Sequence, residues 1–251
     1  MSQGIDIAGV HVAERAVADA FDFELHRGGV TLYGDSQGVG PAVVFLHAGR
    51  ERRSVWTPVI DRLRRTSALR CVTLDLRGHG DSDGVADDLA VLGRDVGALV
   101  SLVGTPVVVV GCSLGGLAAL AALSDRATRQ CVAGVVLIDV VPEPEPGPVW
   151  QFLDDWGLLP EAATLFDELI DHGPRLAANL SSFGGKVALV RAERSALTAR
   201  DCTRFYRDHG ADLIEIEGVS HLIARDDPER LGSELSGLLQ AWLPAARSRL
   251  A

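Results

Sequence analysis

Blocks of consecutive apolar residues alternate along this chain with stretches whose apolar residues are spaced three or four positions apart. Unbroken apolar blocks predict strands buried on both faces of a parallel sheet, whereas the wider spacing predicts amphipathic helices. The predicted strands are Ala42 to Leu46, Cys71 to Leu76, Val107 to Val110, Val132 to Ile138, Lys186 to Val190 and Asp212 to Ile216. The helical spacing is clearest from Val85 to Val103 and from Pro228 to Leu243. The alternation predicts an α/β fold, with a mostly parallel, doubly wound sheet of about eight strands and helices on both faces.

The first part of the chain has a different pattern. Phe21 to His26 alternates apolar and polar residues, Gly28 and Gly29 follow, and Val30 to Tyr33 resumes the alternation, which predicts a β-hairpin. His11 to Ala20 has the composition of a helix, and we expect it to pack on the outside of the sheet.

The alternation of strands and helices is interrupted after Asp139 by prolines at every second position: Pro142, Pro144, Pro146 and Pro148. Such a run cannot form a helix or a central strand, so it indicates the exit into an insertion. Residues 149 to 183 are again amphipathic and carry several aromatic side chains. We therefore expect a core made of residues 1–141 and 185–251, with a helical lid formed by residues 142–184.

Composition excludes several classes of protein. The 251 residues, 47% hydrophobic and 23% charged, suit one large domain of a soluble enzyme. A net charge of −10 without a basic stripe argues against a nucleic-acid partner. The four cysteines show neither a C-x-x-C pair nor metal-ligand spacing, and no segment has the length and apolar character of a signal peptide or membrane span. We expect a cytoplasmic protein without a membrane or metal partner, and its oligomeric state stays open.

The chemistry is concentrated after the strand at Val107 to Val110. There the sequence reads Gly111-Cys112-Ser113-Leu114-Gly115 and continues into a helix rich in Ala and Leu. A G-x-S-x-G pattern alone is weak, but between a strand and a helix it predicts a sharp turn that pushes Ser113 toward positive φ and exposes its hydroxyl. The same turn directs the amide of Leu114 at any oxyanion that forms beside the serine.

Four further parts of the chain reach the same edge of the predicted sheet, because each follows a strand. They are the loop from His47 to Gly49, Asp139, the loop from Arg191 to Ala196, and the loop that carries His221. The small residues of the first loop allow its backbone amides to approach a developing negative charge.

Two other groups near this edge are less specific. Arg50, Arg52 and Arg53 could bind an acidic substrate group, but runs of charge more often form a solvated face. His79 lies between two glycines, and we expect it to serve as a structural hydrogen-bonding group and not as a base.

Four segments together resemble the α/β-hydrolase family over about residues 21 to 243. HAGRERRSVW resembles its oxyanion loop, DLRGHGDSDG a loop after one of its strands, GCSLGG its nucleophile turn, and GVSHLIARDDPERL its histidine loop and last helix. The resemblance implies Ser113 as nucleophile, His221 as its base, and the amides of Leu114 and Gly49 as the oxyanion hole. It implies no metal or organic cofactor, and the serine at 113 disfavours the epoxide hydrolase and haloalkane dehalogenase branches.

The third member of the triad departs from the family pattern. The aspartate expected near Ser195 or Ala196 is absent. Asp139 is the favoured substitute, Glu193 lies nearer the usual place but too early in its loop, and a site without an acid is the remaining possibility.

The resemblance implies acyl transfer through an acyl-enzyme on Ser113, with a small-molecule carboxylic ester, lactone or thioester as substrate. Two alternatives stay open. One is a cofactor-free C–C bond hydrolase or lyase on the same scaffold. The other, suggested by the missing aspartate, is a non-catalytic ligand-binding member of the family.

Overall fold

A computed structural model describes residues 5–6, 10–12, 20–104, 106–159, 163–198 and 201–243. In these parts of the chain ten strands form a single sheet in the order β1-β2-β3-β4-β6-β5-β7-β8-β9-β10. The strands are β1 (Ile5–Asp6), β2 (Val10–Val12), β3 (Ala20–Arg27), β4 (Val30–Gln37), β5 (Ala42–Leu46), β6 (Arg70–Leu74), β7 (Val107–Cys112), β8 (Val132–Ile138), β9 (Lys186–Ala192) and β10 (Asp212–Ile216).

The six strands from β6 to β10 in that order pair in parallel, whereas β1 to β4 pair antiparallel with their neighbours. A 3₁₀ turn covers Arg53–Trp56. The helices are α1 (Thr57–Arg64), α2 (Leu89–Val103), α3 (Leu114–Ala122), α4 (Arg126–Cys131), α5 (Pro146–Asp155), α6 (Ala163–Ser181), α7 (Asp201–His209), α8 (Ile223–Asp226) and α9 (Pro228–Trp242). The predicted α/β fold with a mostly parallel sheet is confirmed.

The N-terminal expectation of a helix is wrong where the structure describes it. Val10–Val12 is a strand, with Val10 opposite Leu25 and His11 opposite Glu24 of β3. Because β3 has an open edge there, its backbone groups pair with this segment, and sheet hydrogen bonds outweigh a helical composition. Residues 13–19 of the predicted helix lie outside the described residues.

Each central strand contributes to two cores, one on either face of the sheet. In β5, Val44 and Leu46 face a layer that contains α2 and α3, whereas Val43 and Phe45 face a layer that contains α1 and α9. Successive side chains of a strand point to opposite faces, so a strand covered on both sides must be apolar throughout. This explains the unbroken apolar blocks of the sequence.

The segment after β8 divides into an anchored helix and a lightly attached one. Helix α6 buries Leu169, Leu176 and Leu180, whereas α5 buries none of its side chains. Helix α5 begins at Pro146, so the expectation that the proline run cannot be helical is wrong there. A proline in the first helical turn loses no hydrogen bond, because the N–H groups of that turn have no intrahelical acceptor.

The backbone that joins β8 to this segment is itself buried. Val140 is 8% exposed and Val141 is 2% exposed, and both belong to the core on the α3 side of the sheet. The division into a core and a lid at residues 142 and 184 stays a prediction. None of the helices in the described residues combines the length and apolar character needed to cross a membrane.

Candidate active site

Ser113 occupies a strained turn between β7 and α3. Its φ of 47° and ψ of −116° lie outside the regions that residues with a side chain normally adopt. The turn is possible because of its glycines: a Cβ at position 115 would collide with the backbone oxygen of Leu46, and one at 111 would lie 2.6 Å from the backbone of Gly115. The G-x-S-x-G pattern therefore has the geometry expected of a nucleophile turn, with Ser113 half-buried at the end of its strand.

Asp139 and His221 are joined by a short hydrogen bond. Nδ1 of His221 lies 2.7 Å from Oδ2 of Asp139. His221 is 5% exposed and Asp139 is 1% exposed. A carboxylate only accepts hydrogen bonds, so Nδ1 carries the proton and the neutral ring keeps Nε2 as an acceptor. This is the tautomer in which an imidazole can remove a proton from a hydroxyl group.

The other oxygen of Asp139 is held as well. Its Oδ1 accepts hydrogen bonds from the Ala192 amide at 3.1 Å and from Oγ1 of Thr198 at 2.7 Å. Thr198 is fully buried, and the sequence interpretation missed it. Its only signal in the sequence is a hydroxyl residue just after the place where the family pattern has an aspartate. Together these contacts fix the orientation of the carboxylate toward His221.

Glu193, the second candidate acid, has a hydrogen-bond partner other than His221. Its Oε2 accepts a hydrogen bond of 2.8 Å from the Gly218 amide and ties its own loop to the one after β10. Ser195 lies where the family pattern has an aspartate, and its hydroxyl oxygen accepts a hydrogen bond of 3.2 Å from the Leu197 amide.

Ser113 and Asp139 end neighbouring strands. Cys112 of β7 lies opposite Ile138 of β8, and the Ser113 amide donates to the Ile138 oxygen at 3.1 Å. Ser113, Asp139 and, through its hydrogen bond, His221 are therefore collected at one edge of the sheet, as the sequence predicts. Leu114, the predicted oxyanion donor, is the first residue of α3, where the backbone amide has no intrahelical acceptor.

The loop after β5, which we call the His47 loop (residues 47–51), is tied to the loop after β6 by a buried histidine. Nε2 of His47 accepts from the Leu76 amide at 3.0 Å, and Nδ1 donates to the Ala48 oxygen at 2.7 Å. Burial lowers the pKa of His47 to about 4, so the ring is neutral near pH 7. Gly49 lies beside Leu114, since a Cβ at position 49 would be 3.9 Å from Cδ2 of Leu114.

Two of the less specific sequence candidates, His79 and Arg53, have structural partners. Nδ1 of His79 lies 3.0 Å from the Arg77 oxygen, and its ring packs against that of His47. Arg53 forms ion pairs with Asp35, Asp75 and Asp81. Its guanidinium is therefore already matched by carboxylates.

Helix α5 contacts His221 directly. The Phe152 ring meets the His221 ring edge-on at a centroid distance of 4.8 Å, and Trp156 packs against Phe152 at 5.3 Å. The guanidinium of Arg225 lies 5.9 Å from the centre of the Trp156 ring. Aromatic side chains of α5 and of the residue that follows it thus cover one side of the histidine.

Within the described residues, no three or more His, Cys, Asp or Glu side chains are grouped so that they could hold a metal ion. The polar groups at this edge include Ser113 and the hydrogen-bonded pair of His221 and Asp139. Such a set can support nucleophilic acyl transfer.

Comparison with known proteins agrees with this architecture. A sequence profile described as the alpha/beta hydrolase family matches residues 43–249. The chain therefore belongs to the α/β-hydrolase family.

Several curated relatives carry the name pimeloyl-[acyl-carrier protein] methyl ester esterase. The one from Xylella fastidiosa (strain 9a5c) is 33% identical over 227 residues, which cover 87% of this chain and 80% of the relative. The one from Methylococcus capsulatus is 30% identical over 171 residues, which cover 67% of this chain. That alignment spans 65% of the Methylococcus protein, slightly less than two thirds of its length.

Among solved structures, a carboxylesterase from Nitrososphaera gargenis matches with a TM-score of 0.74 at 16% identity. The match covers 87% of this chain and 98% of that structure. At such an identity the likeness concerns the fold alone.

Proposed function

We propose that this protein is a serine esterase that hydrolyses small carboxylic esters through an acyl-enzyme on Ser113. The observation that carries the proposal is the hydrogen bond of 2.7 Å between His221 and Asp139, beside a serine with the strained backbone of a nucleophile turn. The names of the relatives from Xylella and Methylococcus support the ester as the bond that is cleaved.

In the proposed reaction, Nε2 of His221 takes the proton of the Ser113 hydroxyl while the serine oxygen attacks the ester carbonyl carbon. Asp139 keeps the proton on Nδ1 of His221 and stabilises the imidazolium that forms. The imidazolium then protonates the departing alcohol, and the acyl group stays on Ser113. A water molecule, deprotonated by His221, attacks the acyl-enzyme; the imidazolium then returns that proton to the Ser113 oxygen as its bond to the acyl carbon breaks and the acid leaves.

The oxyanion of each tetrahedral intermediate accepts hydrogen bonds from the amides of Leu114 and Gly49. Leu114 begins α3, so the positive end of the helix dipole also favours the negative charge. Donors held in place before the reaction are worth more than mobile ones, because they need no reorganisation as the charge develops.

Asp139 completes the triad in this proposal, and Glu193 has no part in the reaction. The hydrogen bond from the Gly218 amide gives Glu193 a structural role in joining two loops. The missing aspartate near Ser195 would favour a non-catalytic protein if His221 had no carboxylate partner. Asp139 is such a partner, so this alternative is not favoured.

The proposal is tested by hydrolysis of p-nitrophenyl butyrate and by labelling with a fluorophosphonate probe. We expect Ser113→Ala to abolish labelling and to lower kcat by about 10⁴-fold or more. Asp139→Asn should lower kcat by about 10³-fold to 10⁴-fold, because the amide no longer holds the correct tautomer of His221. The matched control Glu193→Gln should stay within about twofold of the wild type, since exposed loop carboxylates contribute little.

Labelling or hydrolysis that persists in Ser113→Ala would exclude Ser113 as the nucleophile. A loss of activity in Glu193→Gln with an active Asp139→Asn would assign the acid to Glu193.

A further inference from the structure

Glu51 closes the His47 loop through two reciprocal hydrogen bonds. Its amide donates to the Ala48 oxygen at 3.2 Å, and its Oε2 accepts from the Ala48 amide at 3.2 Å. The Ala48 oxygen also accepts from Nδ1 of His47 at 2.7 Å. Both polar groups of Ala48 are therefore occupied by side chains or backbone of the same loop.

From this geometry we infer that Glu51 is a positioning residue, which orients the Gly49 amide toward the oxyanion of the proposed ester hydrolysis. The inference rests on the proposed function and extends it to a residue outside the triad and the oxyanion hole. Glu51 acts through the backbone of Ala48 and needs no contact with the substrate.

The amides of Ala48 and Gly49 are consecutive in the loop, and the carboxylate of Glu51 accepts a hydrogen bond from the first of them. This contact fixes the peptide group that precedes Gly49. Glu51 takes the Ala48 amide and leaves that of Gly49, the residue that lies beside Leu114. The two proposed oxyanion donors thus come from neighbouring residues of different loops.

The surroundings of Glu51 distinguish it from an ordinary surface carboxylate. The residue is half-buried, and the charged groups that affect it are Arg225, Asp226 and His221, all from the loop and helix after β10. Its charge is also felt by the thiol of Cys112, at the end of β7. The carboxylate therefore lies between the His47 loop, the nucleophile strand and the histidine loop.

This location is energetically unfavourable for a carboxylate. Desolvation raises the pKa of Glu51, while the hydrogen bond from Ala48 and the positive charge of Arg225 oppose that shift. A half-buried charge that costs solvation energy at a candidate active site is more typical of a functional group than of one selected for stability.

The inference is tested with variants that keep or remove the acceptor at position 51. Glu51→Gln retains an oxygen that can accept from Ala48, so kcat for p-nitrophenyl butyrate should stay within about threefold of the wild type. Glu51→Met has a side chain of similar length without that oxygen, and Glu51→Ala removes the side chain. Both should lower kcat by about tenfold with KM within about twofold, less than the loss of a whole oxyanion donor.

A second readout reports on the oxyanion itself. An alkyl trifluoromethyl ketone adds to the serine and forms a tetrahedral oxyanion, whereas a ground-state ester does not. Its inhibition constant should rise in Glu51→Met by the same factor by which kcat/KM falls, and should stay near the wild-type value in Glu51→Gln. Circular dichroism and the Tm of each variant confirm that the comparison is made between folded proteins.

The matched control is Arg52→Ala, which changes the next, exposed residue of the chain and should leave kcat and inhibition unchanged. Wild-type kcat in Glu51→Met, an equal loss in Glu51→Gln and Glu51→Met, or an unchanged inhibition constant in Glu51→Met would each overturn the positioning role. These outcomes are separate from a failure of the proposed function, in which the wild type itself would not hydrolyse the ester or react with the ketone.

Discussion

Within the described chain, the non-glycine residues with positive φ are Arg50, Ser113 and Asp139. All three lie in loops that follow parallel strands, at the edge where the candidate site is formed. A left-handed backbone costs a residue with a side chain about 1–2 kcal/mol, so each of these positions is held there by its surroundings. Strain at Ser113 exposes the hydroxyl, and strain at Asp139 accompanies a carboxylate that faces His221.

At the scale of single residues, His47 makes the stability of the fold depend on pH. Burial lowers its pKa from 6.5 to about 4. The unfolded chain therefore binds more protons than the folded chain between these values, so the free energy of unfolding increases with pH across this window. The contribution of neutral His47 is complete above about pH 6.5 and is lost as the pH falls toward 4, by about 3 kcal/mol in all.

Urea denaturation at a series of pH values from about 7 to 4 measures this contribution. His47→Gln should be less stable than the wild type near neutral pH, and its stability should fall less steeply with acid, by roughly one proton. An equally steep fall in His47→Gln would show that other groups dominate the acid response.

The sequence could predict that Ser113 and His221 lie at one edge of the sheet, because each lies in a local pattern after a strand. It could not decide which carboxylate lies against His221, since Asp139 and Glu193 both follow strands and only their contacts across loops separate them. Thr198 and Glu51 were beyond sequence reasoning for the same reason. Their partners, Asp139 and Ala48, are defined by hydrogen bonds and not by a recognisable spacing.

At the scale of elements, α5 is the part of the fold whose contacts serve the site more than the core. It buries none of its side chains, yet Phe152 lies against the ring of His221 and Trp156 lies near Arg225. An element with few buried contacts contributes little to the free energy of unfolding and can shift at modest cost.

Phe152→Ala should therefore change activity more than stability. Removal of the ring opens space beside His221, so activity on p-nitrophenyl octanoate relative to the butyrate should increase about threefold or more. The free energy of unfolding should change by less than about 1 kcal/mol.

Kinetics on the two esters and urea denaturation of the same preparation check both expectations. Gln151→Ala, an exposed neighbour on the same helix, is the matched control and should keep the wild-type ratio. An unchanged ratio in Phe152→Ala would show that Phe152 does not line the path of the acyl chain.

The central strands could be predicted from the sequence, because burial on both faces of the sheet makes each of them apolar. The start of α5 could not, since a proline with its fixed φ suits both an extended exit and the first turn of a helix. The strand at Val10–Val12 was missed because a short edge strand depends on its partner, β3, more than on its own composition.

At the scale of the molecule, two separate hydrophobic cores stabilise one sheet. Trp242 lies at the border of the core on the α9 side and shields it from solvent. Its side chain is 9% exposed and lies over Gly134 of β8, where an added Cβ would meet the ring at 2.6 Å. The glycine and the tryptophan thus fit each other across the layer.

Trp242→Ala should lower the free energy of unfolding by about 3 kcal/mol, because it removes a large buried side chain and leaves a cavity next to Gly134. Thermal and urea denaturation measure the loss. Trp150→Ala removes an exposed tryptophan that is 47% accessible and should cost less than about 1 kcal/mol. Equal losses in the two variants would contradict a shielding role for Trp242.

The backbone between Asp139 and Pro142 has a practical consequence for protein engineering. Val140 and Val141 are anchored in the core, so they separate the carboxylate from whatever follows Pro142. A foreign segment grafted after Pro142 keeps that anchor, whereas a junction at Asp139 would disturb the carboxylate that is hydrogen-bonded to His221. The segment downstream of Pro142 can therefore be exchanged without rebuilding the partner of His221.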